Sequence, residues 1–477
     1  MAVDAPARLR RPFGPRDSNR LHPADKMAIA GVVTVGALVG LFGWAVDHTA
    51  YETWGGVLVV GVLAVVSIPL VRWAVRCEED RWVKTLIPWA FALKLVSAVV
   101  RFAVVFAVYD GNADAATYHD AGTAIARQIR SGNVFPHVEG QAGTAFIKWL
   151  TGLVYSVTGP SELGGFFVFS WFGFWGLWFF YRAFVTACPE GDRHRYAVLV
   201  FFLPSLLFWP SSIGKEAWMT LGLGLAVWGA ARLLTHRRGG LIAGAAGLFA
   251  VAEARPHIAL ILAIAILMAV LLRRPPKSAK ITAPIGKLAV ILVCGLGLIV
   301  VLNQTESFFE LDTFNSDSVQ LTLQRAARQT NEGGSSFDSG TPKTDFSPSR
   351  FPMAMLSVLF RPFPWEAHNA QAVIAAVEGS ALLVTFVLSW RRVVGAVRSF
   401  LRTPYVLLCC VYSVVFIYGF ASFANFGVLT RQRVQVLPLA LVLVCLPPFH
   451  RTEEGGWRGL LTSAPAGTPL EHAPGTR

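Results

Sequence analysis

The chain has 477 residues, of which 54% are hydrophobic and only 15% charged, a balance that excludes a soluble globular domain of this length. The formal charge of +13 would suit a nucleic-acid partner in a soluble protein. Here Lys and Arg gather in short hinges between apolar runs, so the charge reads as membrane topology and nucleic acid is not an expected partner.

After a basic tail over 1–26 (Arg8, Arg10, Arg11, Arg16, Arg20, Lys26), runs long enough to span a bilayer occur at 27–46, 54–75, 85–108, 163–185, 196–213, 216–234, 286–302, 370–390, 404–423 and 433–449. Shorter runs at 240–253 and 256–272 flank Glu253-Ala-Arg255-Pro256-His257. The expected fold is therefore an all-α polytopic membrane protein with about twelve transmembrane helices. With the first tail in the cytoplasm, alternation puts Arg72/Arg76/Arg81/Lys84, Arg193/Arg195, Arg237/Arg238, Arg273/Arg274/Lys277/Lys280 and Arg391/Arg392/Arg398/Arg402 on one side. Segments 109–162 and 303–369 then face outward, and the tail 450–477 returns to the cytoplasm. The first run is too long for a signal-peptide core, so it reads as a retained anchor of a multi-pass cell-membrane protein.

The outer loops carry no cysteine: Cys294, Cys409, Cys410 and Cys445 fall in spans, Cys77 and Cys188 on the inner side. No disulfide framework is expected, and no Cys/His spacing resembles a zinc site. The sequence has no P-loop, dinucleotide fingerprint or internal repeat.

The first outer loop is the richest segment. Asp110, Asp114 and Asp120 sit where the chain leaves the third run, and ionisable groups there are rarely incidental. With Asn112 or Asp114 as N-cap, Tyr118, Ala121/Gly122, Ile125 and Ile129 recur at helical spacing, and Ser131-Gly132 ends the helix. Such a helix would lie in the membrane interface. Thr144–Thr158 is apolar but short and carries Lys148, which predicts a second interfacial helix.

The order of parts, with Asp114, Tyr118, Gly122, Ser131-Gly132 and Gly159 at the matching places, resembles the GT-C superfamily of integral-membrane glycosyltransferases over roughly 85–275. The chain lacks the adjacent acidic pair common in that loop, and the two helices over 27–84 are additional. The resemblance implies a catalytic membrane module over 85–302 that passes a sugar from a polyprenyl-phosphate donor to a glycan, lipid or protein acceptor of the cell envelope at the outer face. It implies no cofactor and leaves a divalent metal open. A carboxylate would take the acceptor's proton as its oxygen attacks the anomeric carbon, a contribution of ~10²–10⁴-fold, and cations would receive the departing lipid phosphate.

The candidates follow from residue type and position, each against a plainer reading. Asp114 is the first catalytic candidate and Asp110 the second, although an Asp before a helix is often only its cap. Tyr118, His119 and Asp120 are substrate contacts or surface groups. Lys215, beside Glu216 after a Ser-Ser-x-Gly turn, suits a phosphate or merely caps the next span. Arg255 and His257 suit lipid phosphate or an internal Glu253–Arg255 pair. Arg361, Trp365, Glu366 and His368 form an aromatic and charged cluster fit for a sugar, within an otherwise irregular loop. Arg431 and Arg433 lie on the side that basic residues avoid, where snorkelling is the alternative to phosphate binding. Lys94 and Arg101, seven apart, share one face and point into the bundle, their pairing with Glu378 left open. The competing functions are an oligosaccharide-repeat polymerase of exopolysaccharide or O-antigen type and, from another class, a secondary transporter.

Overall fold

The computed structural model describes residues 23–111, 113–272, 283–309, 347–423 and 425–448. The elements are α1 (Pro23–His48), α2 (Tyr51–Arg76), α3 (Arg81–Ala103, continued by a wide turn over Val104–Val108), α4 (Asp114–Arg130), α5 (Ala142–Thr158) and α6 (Glu162–Ala187). After these come α7 (Arg193–Phe202), α8 (Pro204–Phe208), α9 (Lys215–Leu234), α10 (Gly240–Ala254), α11 (Pro256–Leu272) and α12 (Ala283–Phe309). The last are α13 (Phe351–Phe360), α14 (Ala370–Leu388), α15 (Trp390–Ser399), α16 (Pro404–Phe420), α17 (Phe426–Gln432) and α18 (Leu437–Cys445). The expected hinge Arg273/Arg274/Lys277/Lys280, both tails and most of 303–346 lie outside the described residues.

Five helical stretches are long and apolar enough to cross a membrane: Trp54–Arg76, Arg81–Val108, Glu162–Ala187, Lys215–Leu234 and Ala370–Leu388. Two bent pairs, α15 with α16 (108°) and Phe426–Gln435 with α18 (62°), raise the number to seven among the described residues. The protein is a helical membrane protein, and five to seven spans rather than twelve are seen among the described residues. The two shorter runs at 240–253 and 256–272 form helices of 15 and 17 residues that meet at Arg255-Pro256, and Leu437–Cys445 is bent by 62° from Phe426–Gln435.

At the centre stands α6, whose aromatic side chains Phe166, Phe169, Phe174, Trp178 and Phe180 are buried. Small residues bring α9 against it. A Cβ at Gly176 would lie 2.3 Å from the Thr220 carbonyl oxygen, and one at Gly224 would lie 2.2 Å from that of Gly176. Backbone contact through small side chains is how helices associate where lipid cancels the hydrophobic drive. By contrast α2, α3 and α14 leave Val65, Trp89, Val96, Ile374 and Leu388 exposed, as lipid-facing helices do.

The expected span at 196–213 breaks at Leu203-Pro204 into α7, α8 and a tight turn over Trp209–Ser211. A break at membrane depth survives only if its backbone groups find internal partners. Lys94 Nζ donates to the carbonyls of Leu206 (2.9 Å) and Leu207 (2.8 Å), and the Ser205 N–H donates to Glu378 (2.7 Å). Lys94 and Glu378 thus serve the two faces of one break and do not pair with each other. Glu378 instead meets Arg433 at 3.4 Å.

Apart from Lys94, Glu378 and Arg433 at that break, the ion pairs gather at the two ends of the bundle. At one end Glu78 joins Arg182 (3.6 Å), Arg193 (3.7 Å) and the Tyr181 hydroxyl (2.7 Å), Asp80 caps α3 and binds His194 (2.7 Å), and Arg392 reaches Asp192 (3.9 Å). Three of the basic hinges that alternation assigns to one side are therefore in mutual contact. All six cysteines are free.

Candidate functional site

The opposite end gathers the starts and breaks of several helices. The two helices expected in the first outer loop are present as α4 and α5, with Ala115, Tyr118, Gly122, Ile125 and Ala126 forming the buried face of α4. Close packing sets their spacing: a Cβ at Gly122 would come within 2.5 Å of Thr151 Cγ2, and one at Gly152 within 2.3 Å of Ile125 Cγ2. Arg130 donates to the carbonyls of Tyr155 (2.7 Å) and Ser156 (3.0 Å), filling acceptors at the end of α5. The start of α5 is pressed onto the end of α10, where a Cβ at Gly143 would approach the Ala254 carbonyl oxygen to 2.1 Å.

This arrangement frees Asp114 from a capping role. The N-cap of α4 is Ala113, without a side-chain capping bond, and Asn112 lies outside the described residues. Asp114 is the first residue of the helix, and its Oδ2 accepts from Arg431 Nη1 at 2.7 Å. Arg431 Nε reaches Glu216 Oε1 at 2.7 Å, and Glu216 Oε1 also receives Arg255 Nη2 at 2.8 Å. Arg255 completes the chain by donating to Gln432 Oε1 (2.6 Å). One guanidinium thus joins an exposed carboxylate, 57% accessible at its side chain, to a buried one at 4%.

Lys215 donates to Thr144 Oγ1 (3.0 Å). Burial, with the charges of Asp114 and Glu216 added, pushes the Tyr118 hydroxyl up to about 12. It therefore stays a neutral phenol over the physiological range. Arg101, at the end of α3, packs against two aromatic rings, its guanidinium carbon 4.6 Å from the Phe208 ring centre and 4.8 Å from that of Trp209. Its charge interacts with Arg431, Glu216 and Asp114.

Of the sequence candidates, Asp114, Tyr118, Lys215, Arg255 and Arg431 come together. His257 begins the helix behind them and lies within the electrostatic reach of Arg255 and Lys215. Asp110 does not join the ion-paired cluster: it is exposed, in a left-handed turn at φ 50°. His119 is engaged by the Tyr155 hydroxyl (2.8 Å), while Asp120 is exposed on the far side of α4. Arg255 takes Glu216 as its carboxylate, which replaces the expected pairing with Glu253.

Arg361 and Arg433 are corrections. Arg433 is buried, faces Glu378 and donates to the carbonyl oxygens of Arg361 (3.2 Å) and Leu359 (3.5 Å). Its donors close the α13 end against α14 and do not face Asp114. Arg361 pairs with Glu366, whose carboxylate also accepts the Phe363 N–H at 2.8 Å, and it lies over the Phe426 ring at 5.8 Å. Glu366 is thereby spent on its own turn. Trp365 is 76% exposed and stacks on Phe363 with centroids 5.0 Å apart, and His368 is exposed beyond it.

Glu216 and Arg101 belong to the cluster without having been singled out as site residues. Both are ionisable groups in apolar runs, which by itself points to function, yet Glu216 resembles an interfacial charge and Arg101 a bundle-facing one. No group of three or more His, Cys, Asp or Glu able to hold a metal occurs among the described residues. Comparison with family models, with curated proteins and with solved structures gives no match.

Proposed function

We propose that the protein is a membrane glycosyltransferase that passes a sugar from a polyprenyl-phosphate donor to a hydroxyl of a cell-envelope acceptor at the outer face. The observation that carries this reading is the meeting of Asp114 with Arg431, Arg255 and Lys215 at the bundle end opposite the basic hinges. In it Asp114 accepts the acceptor's proton while the oxygen forms its bond to the anomeric carbon. The bond from that carbon to the phosphate oxygen breaks, and the phosphate leaves with the electron pair toward the cations. Exposure of Asp114 at the membrane face leaves room for an acceptor, whereas burial of Glu216 suits it to orienting two arginines.

The test is turnover by purified, reconstituted protein given a panel of polyprenyl-phosphate monosaccharides and envelope glycans. Sugar transfer supports the reading. Turnover confined to pyrophosphate-linked oligosaccharides would move the polymerase reading ahead, and substrate-coupled uptake without bond cleavage would favour a transporter.

A further inference from the structure

In this cluster the four cations are not equivalent. Arg255 and Arg431 are each ion-paired, the first with Glu216 and the second with both Glu216 and Asp114. A phosphate seeking either guanidinium would meet a charge already offset by a carboxylate at 2.7–2.8 Å. Arg433 and Arg361 are likewise occupied, by Glu378 and Glu366.

Arg101 and Lys215 differ. Lys215 gives one of its three N–H donors to a neutral hydroxyl, that of Thr144. Arg101 lies against ring faces, and its Nε is buried with no hydrogen-bond partner among the described residues. A cation over ring faces keeps its N–H donors uncommitted, and a guanidinium's N–H edge matches a phosphate's oxygens. Both residues interact electrostatically with the same three groups, Asp114, Glu216 and Arg431, so they border one locus from α3 and from α9. Among the described residues the carboxylates ion-paired in this cluster are Asp114 and Glu216, against Arg101, Lys215, Arg255 and Arg431. Two positive charges are left over.

We propose that Arg101 and Lys215 are the side chains that take the lipid phosphate, with Arg255 and Arg431 held back to order the carboxylates, an inference that rests on the glycosyl-transfer reading above. The charge excess has a chemical meaning. A donor phosphodiester carries about one negative charge, and the polyprenyl phosphate released carries about 1.5 to 2 near neutral pH. Two uncompensated cations match the leaving group better than the bound donor, which is where stabilisation accelerates transfer.

The experiment uses the full chain in nanodiscs and two probes, a polyprenyl monophosphate without sugar and the uncharged polyprenol of the same length. Arg101→Gln and Lys215→Gln should each weaken monophosphate binding by roughly tenfold or more while leaving polyprenol binding unchanged. Arg101→Lys, which keeps the charge but not the planar fork, should lose less. Equal weakening of both probes would mark Arg101 as structural and overturn the proposal, as would wild-type monophosphate affinity in Arg101→Gln. A wild-type protein that prefers the monophosphate through Arg101 but transfers no sugar would sustain this site and defeat the transferase reading. Sugar transfer with no preference for monophosphate over polyprenol would do the reverse.

Discussion

Arg431 holds Asp114 and Glu216 at the same distance, 2.7 Å, from two different nitrogens of one guanidinium. Two carboxylates from α4 and α9 are thereby tied to the C-terminal part of the chain. Replacing Arg431 with Gln removes their shared counter-ion and leaves Glu216 buried with Arg255 alone. Glu216 keeps one counter-ion, and a hydrogen bond to a charged group contributes about 1.5–3 kcal/mol, so Arg431→Gln should lower the unfolding free energy by that order and slow transfer. Denaturant unfolding in detergent checks this. An arginine that merely snorkels would be replaceable with little effect.

Gly143 tests whether the site depends on the approach of α5 to α10. A methyl group there meets the Ala254 carbonyl oxygen at 2.1 Å, and backbone cannot yield as a side chain can. Gly143→Ala should cost about 1–3 kcal/mol and, by moving Thr144, loosen its bond to Lys215. The expected signature is a lowered thermal midpoint together with weakened substrate binding, whereas a surface glycine would tolerate the change.

The expected sidedness can be read at two exposed positions. Glu139, in the connection between α4 and α5, and Arg237, beyond α9, are both exposed. In a cysteine-free background Glu139→Cys should react only with an impermeant reagent added outside, and Arg237→Cys only from the cytoplasm. Labelling of both from one side contradicts the topology.

The turn at Arg361–Glu366 should respond to acid. Partial burial raises the Glu366 carboxyl, but hydrogen bonds from Arg361 and the Phe363 N–H, with the charge of Arg361, outweigh it and hold the group below the ordinary 4.5. A carboxyl lowered in the folded state contributes stability above its unfolded value, and that stability is lost as pH falls through the folded value. Fluorescence of Trp365, stacked on Phe363, should therefore change below pH 4.5, and the change should be absent from Glu366→Gln.

Much of the helical layout was legible in the sequence because apolar length and helical spacing are local signals: α2, α3, α6 and α14, and the buried stripe of Tyr118, Gly122 and Ile125, lie where the pattern places them. The break at Leu203-Pro204 was not, since a run of apolar residues reads as one span unless its distant partners, Lys94 and Glu378, are known. The same holds for the cations. Position outside the membrane groups Arg431 with Arg433, two residues apart, but the tight helical turn over Arg433–Gln435 directs one to Asp114 and the other to Glu378. Glu216 and Arg101 needed the fold, because only packing of α9 against the breaks at Arg255 and Trp209 turns them from membrane charges into members of a site.

The central claim is that Asp114 takes a proton from the acceptor hydroxyl. The most direct measurement is single-turnover sugar transfer from a polyprenyl-phosphate donor by wild-type protein and by Asp114→Asn, with folding and donor binding followed in the same samples. The account predicts a loss of ~10²–10⁴-fold in the transfer rate, with donor binding and thermal stability near wild type, because the side chain is 57% exposed and Glu216 still anchors Arg431. Transfer by Asp114→Asn at the wild-type rate would contradict it.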